Sequence, residues 1–189
     1  MMNMYHGDKV RLRKLRESDA KIILKHWNNY SLRQYLPTPL PTSLMDLKDF
    51  IETANEAYNE RSKFTFGIET LESEKLIGLV NLVGISWISR FAEIGQFAIF
   101  DPEFMGKGYG FDSLRVLLDF AFFVLDLHSI HLMVEIFNIH AVTFYEKFGF
   151  QKRGSLRELA YRNGTRYDIL IMDMLKDEFH QKYKILPKQ

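Results

Sequence analysis

The chain of 189 residues is close to the usual size of one domain and long enough to bury a core without metals or cross-links, so a single domain over 1–189 is expected. Its 25 Lys and Arg balance 24 Asp and Glu, which leaves no field for steering toward nucleic acid, and the absence of cysteine excludes disulfides, thiolate nucleophiles and Cys-ligated zinc. No apolar run is long enough to span a bilayer and the N-terminus lacks the apolar core of an export signal, so a cytoplasmic protein without a membrane partner is expected.

Alternating Val10 and Leu12 predict a first strand over 9–15, and Ser18 offers an N-cap to an amphipathic helix carrying Ile22, Ile23 and Trp27. Pro37, Pro39 and Pro41 forbid regular structure over 36–41; Thr42 or Ser43 then caps a second helix with Leu44, Leu47, Ile51, Ala54 and Tyr58 at helical spacing. Phe64, Phe66 and Ile68 mark a strand over 63–70, a polar hairpin loop follows, and 76–83 is apolar enough for a strand buried on both faces. A strand over 91–100 ends at Asp101-Pro102, and Leu114, Leu117, Leu118, Ala121, Phe122 and Leu125 predict a helix lying on the sheet. A strand over 128–137 precedes a short helix with Ala141, Phe144, Tyr145 and Phe148 on one face, closed by Gly149. Strands over 151–161 and 166–175 pair through the Arg162-Asn163-Gly164 turn. The pattern predicts an α/β (α+β) fold, with a central mixed sheet of about seven strands and about four helices.

Phe104-Met105-Gly106-Lys107-Gly108-Tyr109-Gly110 lies between a strand and a helix. Glycines there let the backbone approach an anion, and the N–H groups of the first helical turn point at it, aided by the dipole. The spacing fits neither the Walker loop nor the dinucleotide fingerprint, so a tight turn and a phosphate cradle both remain open on the glycines alone. Asn138 can cap its helix and still offer its amide to a ligand carbonyl. Tyr145 stands two turns further on, and a phenol with a pKa of about 10 is protonated at neutral pH and can donate a proton to a ligand. The residues alone equally allow a plain N-cap and a core aromatic. Glu93, near Arg90, is either an exposed strand carboxylate or a general base, with Glu135 as a weaker substitute. The six histidines show no metal-ligand spacing, and no metal is expected.

Met105-x-x-Gly108-x-Gly110 resembles the acetyl-CoA signature Gln/Arg-x-x-Gly-x-Gly/Ala of the GNAT superfamily of N-acetyltransferases, with Met105 replacing the usual Gln or Arg. Asn138-x-x-Ala141-x-x-x-Tyr145-Glu146-Lys147-x-Gly149-Phe150 resembles the later motif of the same family, in the right order. The resemblance covers nearly the whole chain and looks most like the ribosomal-protein N-terminal and spermidine acetyltransferase subgroups. It implies a splayed, largely antiparallel sheet and acetyl-CoA as co-substrate. The diphosphate would be held by Gly106, Lys107, Gly108, Tyr109, Gly110 and Phe111, the pantetheine by the backbones of Ala98, Ile99 and Phe100 with Asn138. It further implies Tyr145 as proton donor to sulfur and Glu93 as base, with Trp27, Tyr30, Tyr35 and Trp87 walling the acceptor channel. The expected partners are an amine acceptor, either a protein N-terminus or a small amine, and a second copy of the chain in a homodimer. Asp46, Asp49, Glu52 and Glu56 on one helix would suit a polyamine acceptor or simply a solvated helix face. The rivals are an acyl-CoA sensor without turnover and an ATP-binding protein that uses the glycine turn.

Overall fold

The computed structural model describes residues 5–33 and 40–183. Seven strands form one sheet in the order β1-β2-β3-β4-β5-β7-β6, namely β1 (Val10–Arg13), β2 (Phe64–Thr70), β3 (Leu76–Ser86), β4 (Phe91–Ile99), β5 (Ser129–Glu135), β6 (Gln151–Arg162) and β7 (Thr165–Leu175). Every neighbouring pair is antiparallel except β4 and β5. A parallel pair cannot be joined by a tight hairpin, and here the crossover carries a helix over one face of the sheet.

The described helices are α1 (Asp19–Trp27), α2 (Tyr30–Arg33), α3 (Leu44–Asn59), α4 (Tyr109–Asp119), α5 (Ile139–Phe148) and α6 (Lys176–Tyr183). The short α2 and the terminal α6 exceed the expected number, because a single turn and a polar terminal helix leave little periodic signal. Ile23 of α1 and Leu47 and Ile51 of α3 pack with Leu76 and Leu79 of β3 on one face. Leu114 and Leu117 of α4, Val142 and Phe148 of α5 and Phe179 of α6 share a second cluster with Phe66, Ile94 and Leu132. The expected long helix after the glycine loop is α-helical only to Asp119 and then widens into a π-helical turn, Phe120–Val124.

Two helix starts differ in how they are held. Ser43 caps α3 with a full capping box, its hydroxyl accepting from the Asp46 N–H while the Asp46 carboxylate accepts from the Ser43 N–H. Ser18 makes no such bond to α1, contrary to expectation. Asp19 takes over that end, accepting the Arg16 N–H at 2.7 Å and a bidentate contact from the Arg13 guanidinium at 2.8 and 3.0 Å. Among the described residues no helix is long and apolar enough to cross a membrane.

Candidate active site

The sheet opens in its middle, beside a bulge held by one polar residue of a buried strand. Asn81 of β3 pairs with Gln96 of β4, but the next rung joins Leu82 to Ile94, so Gly95 is an extra residue, a β-bulge. The Asn81 carboxamide oxygen accepts the Gln96 N–H at 2.9 Å and so satisfies the donor that the bulge displaces. A Cβ on Gly95 would lie 2.7 Å from Val83 Cγ2 and 3.0 Å from Asn81 Oδ1, so the bulge admits only glycine without rearrangement. Beyond this point β4 no longer pairs with β5. Their ladder runs from Phe91 and Ser129 to Ile94 and Leu132 and stops, while β5 continues to Glu135 on the arm of β7.

The open side of β4 presents alternate backbone groups. The Phe100 N–H donates to Ile77 O, so alternation turns the backbone of Ala98 toward β3 as well and that of Phe97 and Ile99 toward the gap. Of the three backbones expected to face a ligand, only that of Ile99 therefore turns toward the gap, together with that of Phe97.

At the far end of the gap lies the glycine loop. Gly106 has φ +70° and Gly108 φ +85°, left-handed conformations that favour glycine. Gly108 is the N-cap of α4 and, having no side chain, leaves the first-turn N–H groups of Tyr109, Gly110 and Phe111 uncapped and available to an anion. Gly110 needs no special conformation; a Cβ there would make ordinary contacts at 3.6–3.8 Å with Phe97, Ile99 and Phe144. The loop is anchored from β1. Lys9 Nζ donates to Lys107 O at 3.0 Å and lies 5.2 Å from the Tyr109 ring centroid. The Asp112 carboxylate accepts the N–H groups of Asp8, Lys9 and Val10 at 3.0, 2.7 and 3.1 Å. Burial pushes the Asp112 pKa up, yet these three donors and Arg115 more than offset it and hold the carboxyl below its ordinary range. Neither Lys9 nor Asp112 was singled out by the sequence, where each reads as an ordinary surface charge.

Asn138 caps α5, its carboxamide oxygen accepting the Ala141 N–H at 3.2 Å, which leaves the amide nitrogen to donate. Two turns on, Tyr145 is buried among Phe97, Phe144 and Phe150, with ring centroids at 6.4, 5.3 and 5.7 Å. Burial raises its pKa far above the ordinary tyrosine value, so the phenol is protonated throughout the neutral range. Glu93 sits at the floor of the gap, one rung before the strands part, with its carboxylate 3.6 Å from His131 Nε2 of the facing residue on β5. Its neighbours Ala92 and Ile94 belong to the α4-side core, so Glu93 projects from the opposite face. Glu135 lies further along β5, paired with Arg162 at 2.5 Å; burial raises its pKa and Arg162 partly opposes that.

On the Glu93 side of the sheet, α1, α2 and α3 enclose a cleft of about 380 Å³ whose floor is Leu79 and Gln96, the residue held by Asn81. Trp27 lines it. Tyr30 does not; it is exposed and its hydroxyl reaches Asn163 of the β6–β7 turn at 3.4 Å. Trp87 lies on the turn between β3 and β4 and is likewise absent from the cleft wall, a correction to the expected channel. Tyr35 and the expected proline corner at Pro37 and Pro39 lie outside the described residues. Arg33 and Thr42 line the cleft as well, and so does Asp46, one of the four helix carboxylates weighed for a polyamine acceptor. Asp49, Glu52 and Glu56 are exposed on the outer face of α3.

A domain whose one parallel strand pair parts beside an uncapped helix N-terminus has the form of a transferase for a long, diphosphate-bearing acyl carrier. Residues 9–151 match the acetyltransferase (GNAT) domain, and the chain belongs to that family. It is 32% identical over 173 residues to spermidine N(1)-acetyltransferase of Vibrio cholerae serotype O1, covering 92% of this chain and 96% of that one. It is 31% identical to the putative ribosomal N-acetyltransferase YdaF of Bacillus subtilis, over 60% of this chain and 62% of that one. The crystal structure of the Vibrio cholerae spermidine N-acetyltransferase with CoA and spermine superposes with a TM-score of 0.79 at 33% identity, covering 90% of this chain and 97% of that chain. The protein is an acetyl-CoA-dependent N-acetyltransferase.

Proposed function

We propose that acetyl-CoA lies in the gap between β4 and β5, with its diphosphate on the N–H groups of Tyr109, Gly110 and Phe111 and its pantetheine along the free backbone of Phe97 and Ile99. The single observation that carries this is the end of the β4–β5 ladder at Ile94, in line with the uncapped start of α4. Asn138 contributes its amide nitrogen to a pantetheine carbonyl. The acceptor is a primary amine, of a small molecule or a protein N-terminus, entering from the cleft beside Trp27 and Gln96. Its nitrogen bonds the acetyl carbon and the carbon–sulfur bond breaks. The amine proton passes to Glu93, directly or through water, and the Tyr145 hydroxyl returns a proton to sulfur. Because the Gln96 N–H is engaged by Asn81, the Phe97 N–H is the donor left to polarise the thioester carbonyl.

A polyamine acceptor is the second reading, favoured by the likeness to the Vibrio cholerae enzyme. Against it, Asp46 is the one acidic residue among the described residues lining the cleft, and its carboxylate is exposed and capping α3. We place the enzyme in the cytoplasm, in keeping with the lack of cysteine. A homodimer would use the open edge of β6, where Leu156, Leu159 and Tyr161 are exposed.

Release of thiol from acetyl-CoA over a panel of small amines, peptides with free N-termini and spermidine tests the reading, with Tyr145→Phe as control. Turnover with at least one acceptor, lost in the variant, is expected. Binding of acetyl-CoA without turnover of any acceptor would instead identify a sensor. Failure to bind CoA would remove the cradle assignment.

A further inference from the structure

Arg33, the last residue of α2, is the buried charge of the acceptor cleft. Its side chain is 8% exposed, Nη1 donates to Thr42 Oγ1 at 3.2 Å, and Nη2 is buried with no hydrogen-bond partner among the described residues. No carboxylate among the described residues stands within ion-pair distance of it, although Arg11, Arg13, Arg90, Arg115, Arg153 and Arg162 are all paired. A guanidinium does not shed its proton in proteins, and burying one without a counter-ion is strongly unfavourable unless a partner arrives. Asp46 is the acidic group that shares the cleft, and it already accepts the Ser43 N–H from an exposed position. The other groups on this wall, Trp27, Thr42 and Phe50, are neutral. The cleft thus has an apolar flank, a thioester end at Gln96 beside the bulge, and a fixed cation whose Nη2 has no acceptor among the described residues.

We propose that the acceptor is a primary amine bearing a carboxylate, which Arg33 and Thr42 hold while the amine meets the thioester at Gln96. The inference rests on the acetyl-transfer reading of the site and names its substrate class. Arg is suited to the task, because its planar fork matches a carboxylate's two oxygens and the Thr42 contact fixes the plane of that fork. The same cation repels a polyamine, so the cleft selects against the substrate named for the Vibrio cholerae relative. The carboxylate can belong to a free amino acid or to an acidic side chain near a peptide N-terminus, and the cleft of about 380 Å³ admits either group.

Thiol release is measured with pairs that differ in the carboxylate alone: free amino acids against their decarboxylated amines, and peptides beginning with Asp against the same peptides beginning with Asn, with spermidine alongside. The carboxylate member of at least one series should have a kcat/KM roughly ten-fold or more higher, an advantage carried by KM, and the responding series identifies the source. Arg33→Gln should bring the ratio within the pair to about one, and Arg33→Lys should leave part of it. Melting curves of each variant establish that it folds. Equal or better turnover of the uncharged amines or spermidine, or a ratio unmoved by Arg33→Gln, overturns the proposal while leaving acetyl transfer intact. If acetyl-CoA binds but no acceptor turns over, the acetyl-transfer reading fails, and a second readout still decides the carboxylate site. N-acetylated amino acids should then raise the melting temperature of the wild type more than that of Arg33→Gln; equal shifts would refute the site.

Discussion

Gly108 and Gly110 stand two residues apart in one loop and ask different things of the backbone. Gly108 caps α4 at φ +85°, where an L-residue is strained by roughly 1–2 kcal/mol, whereas a Cβ on Gly110 meets only ordinary contacts. Gly108→Ala should therefore lower Tm by roughly 2–8 °C and raise KM for acetyl-CoA, while Gly110→Ala leaves Tm within about 2 °C; thermal melts and saturation kinetics compare the two. The repeated glycines announce a loop in the sequence, but only the backbone angles separate the obligatory glycine from the tolerated one. Tyr145 shows a similar limit. Its spacing from Asn138 was legible, and Phe144 and Phe150 are its neighbours in the chain, yet Phe97 reaches it from β4 and has no local signature. Burial makes this phenol a poor spontaneous acid, so in the proposed reaction it would give up its proton only as negative charge builds on sulfur. Tyr145→Phe removes that proton and should cut kcat by about 10²–10⁴ with little change in KM for acetyl-CoA, as steady-state rates will show. A variant with wild-type kcat would assign Tyr145 to packing alone.

At the level of elements, the strands were legible because their apolar alternation is local, and the opening of the sheet was not. The resemblance implied a splayed sheet, but not the bulge beside the opening, held by Asn81, a lone amide in the run 76–83 that reads as an ordinary buried strand. The partner that makes sense of it is a backbone N–H fifteen residues away, on a strand displaced by a bulge at Gly95. Replacing Asn81 by Leu leaves that N–H without its acceptor at a cost of about 1–3 kcal/mol and frees β4 to close toward β5. The variant should lose Tm and, beyond that, show a raised KM for acetyl-CoA at temperatures where it is fully folded. Loss of stability with unchanged KM would mean that the bulge holds the gap open without the amide. The extra helices were missed for a related reason. A single turn such as α2 offers no period to count, and the π-helical turn Phe120–Val124 carries the same apolar spacing as the α-helix it extends.

Across the whole molecule, buried charge is arranged so that Glu69 and Asp112 support the fold, while burial sets Asp119 and Glu135 against it. Glu69, 1% exposed, is desolvated, but Arg13 and Arg11 more than compensate and lower its pKa; with Asp19 the cluster ties β1 and β2 to the start of α1. Asp112 does the same for the chain before β1 and the glycine loop, and its pKa is also lowered. Such groups contribute stability that is present above the unfolded carboxylate pKa of about 4 and is lost as pH falls through their lower folded values. Asp119 runs the other way. At the end of α4 its Oδ1 is buried without a partner among the described residues, and burial, only partly opposed by Arg115, pushes its pKa up to about 6. A carboxyl that holds its proton more tightly in the folded state favours folding at low pH, and that contribution disappears as pH rises from about 4 to about 6. At pH 8 the ionised Asp119 therefore weakens the fold, by on the order of 1–2 kcal/mol once partial exposure is allowed for. Asp119→Asn keeps the shape and removes the charge, so it should be more stable than the wild type at pH 8 and nearly equal to it at pH 4. Denaturant unfolding of both proteins across that range reads the difference directly. A gap that does not grow between pH 4 and pH 6, or a variant less stable at pH 8, would show that the Asp119 carboxylate finds a partner in solution and that the end of α4 is not under this load.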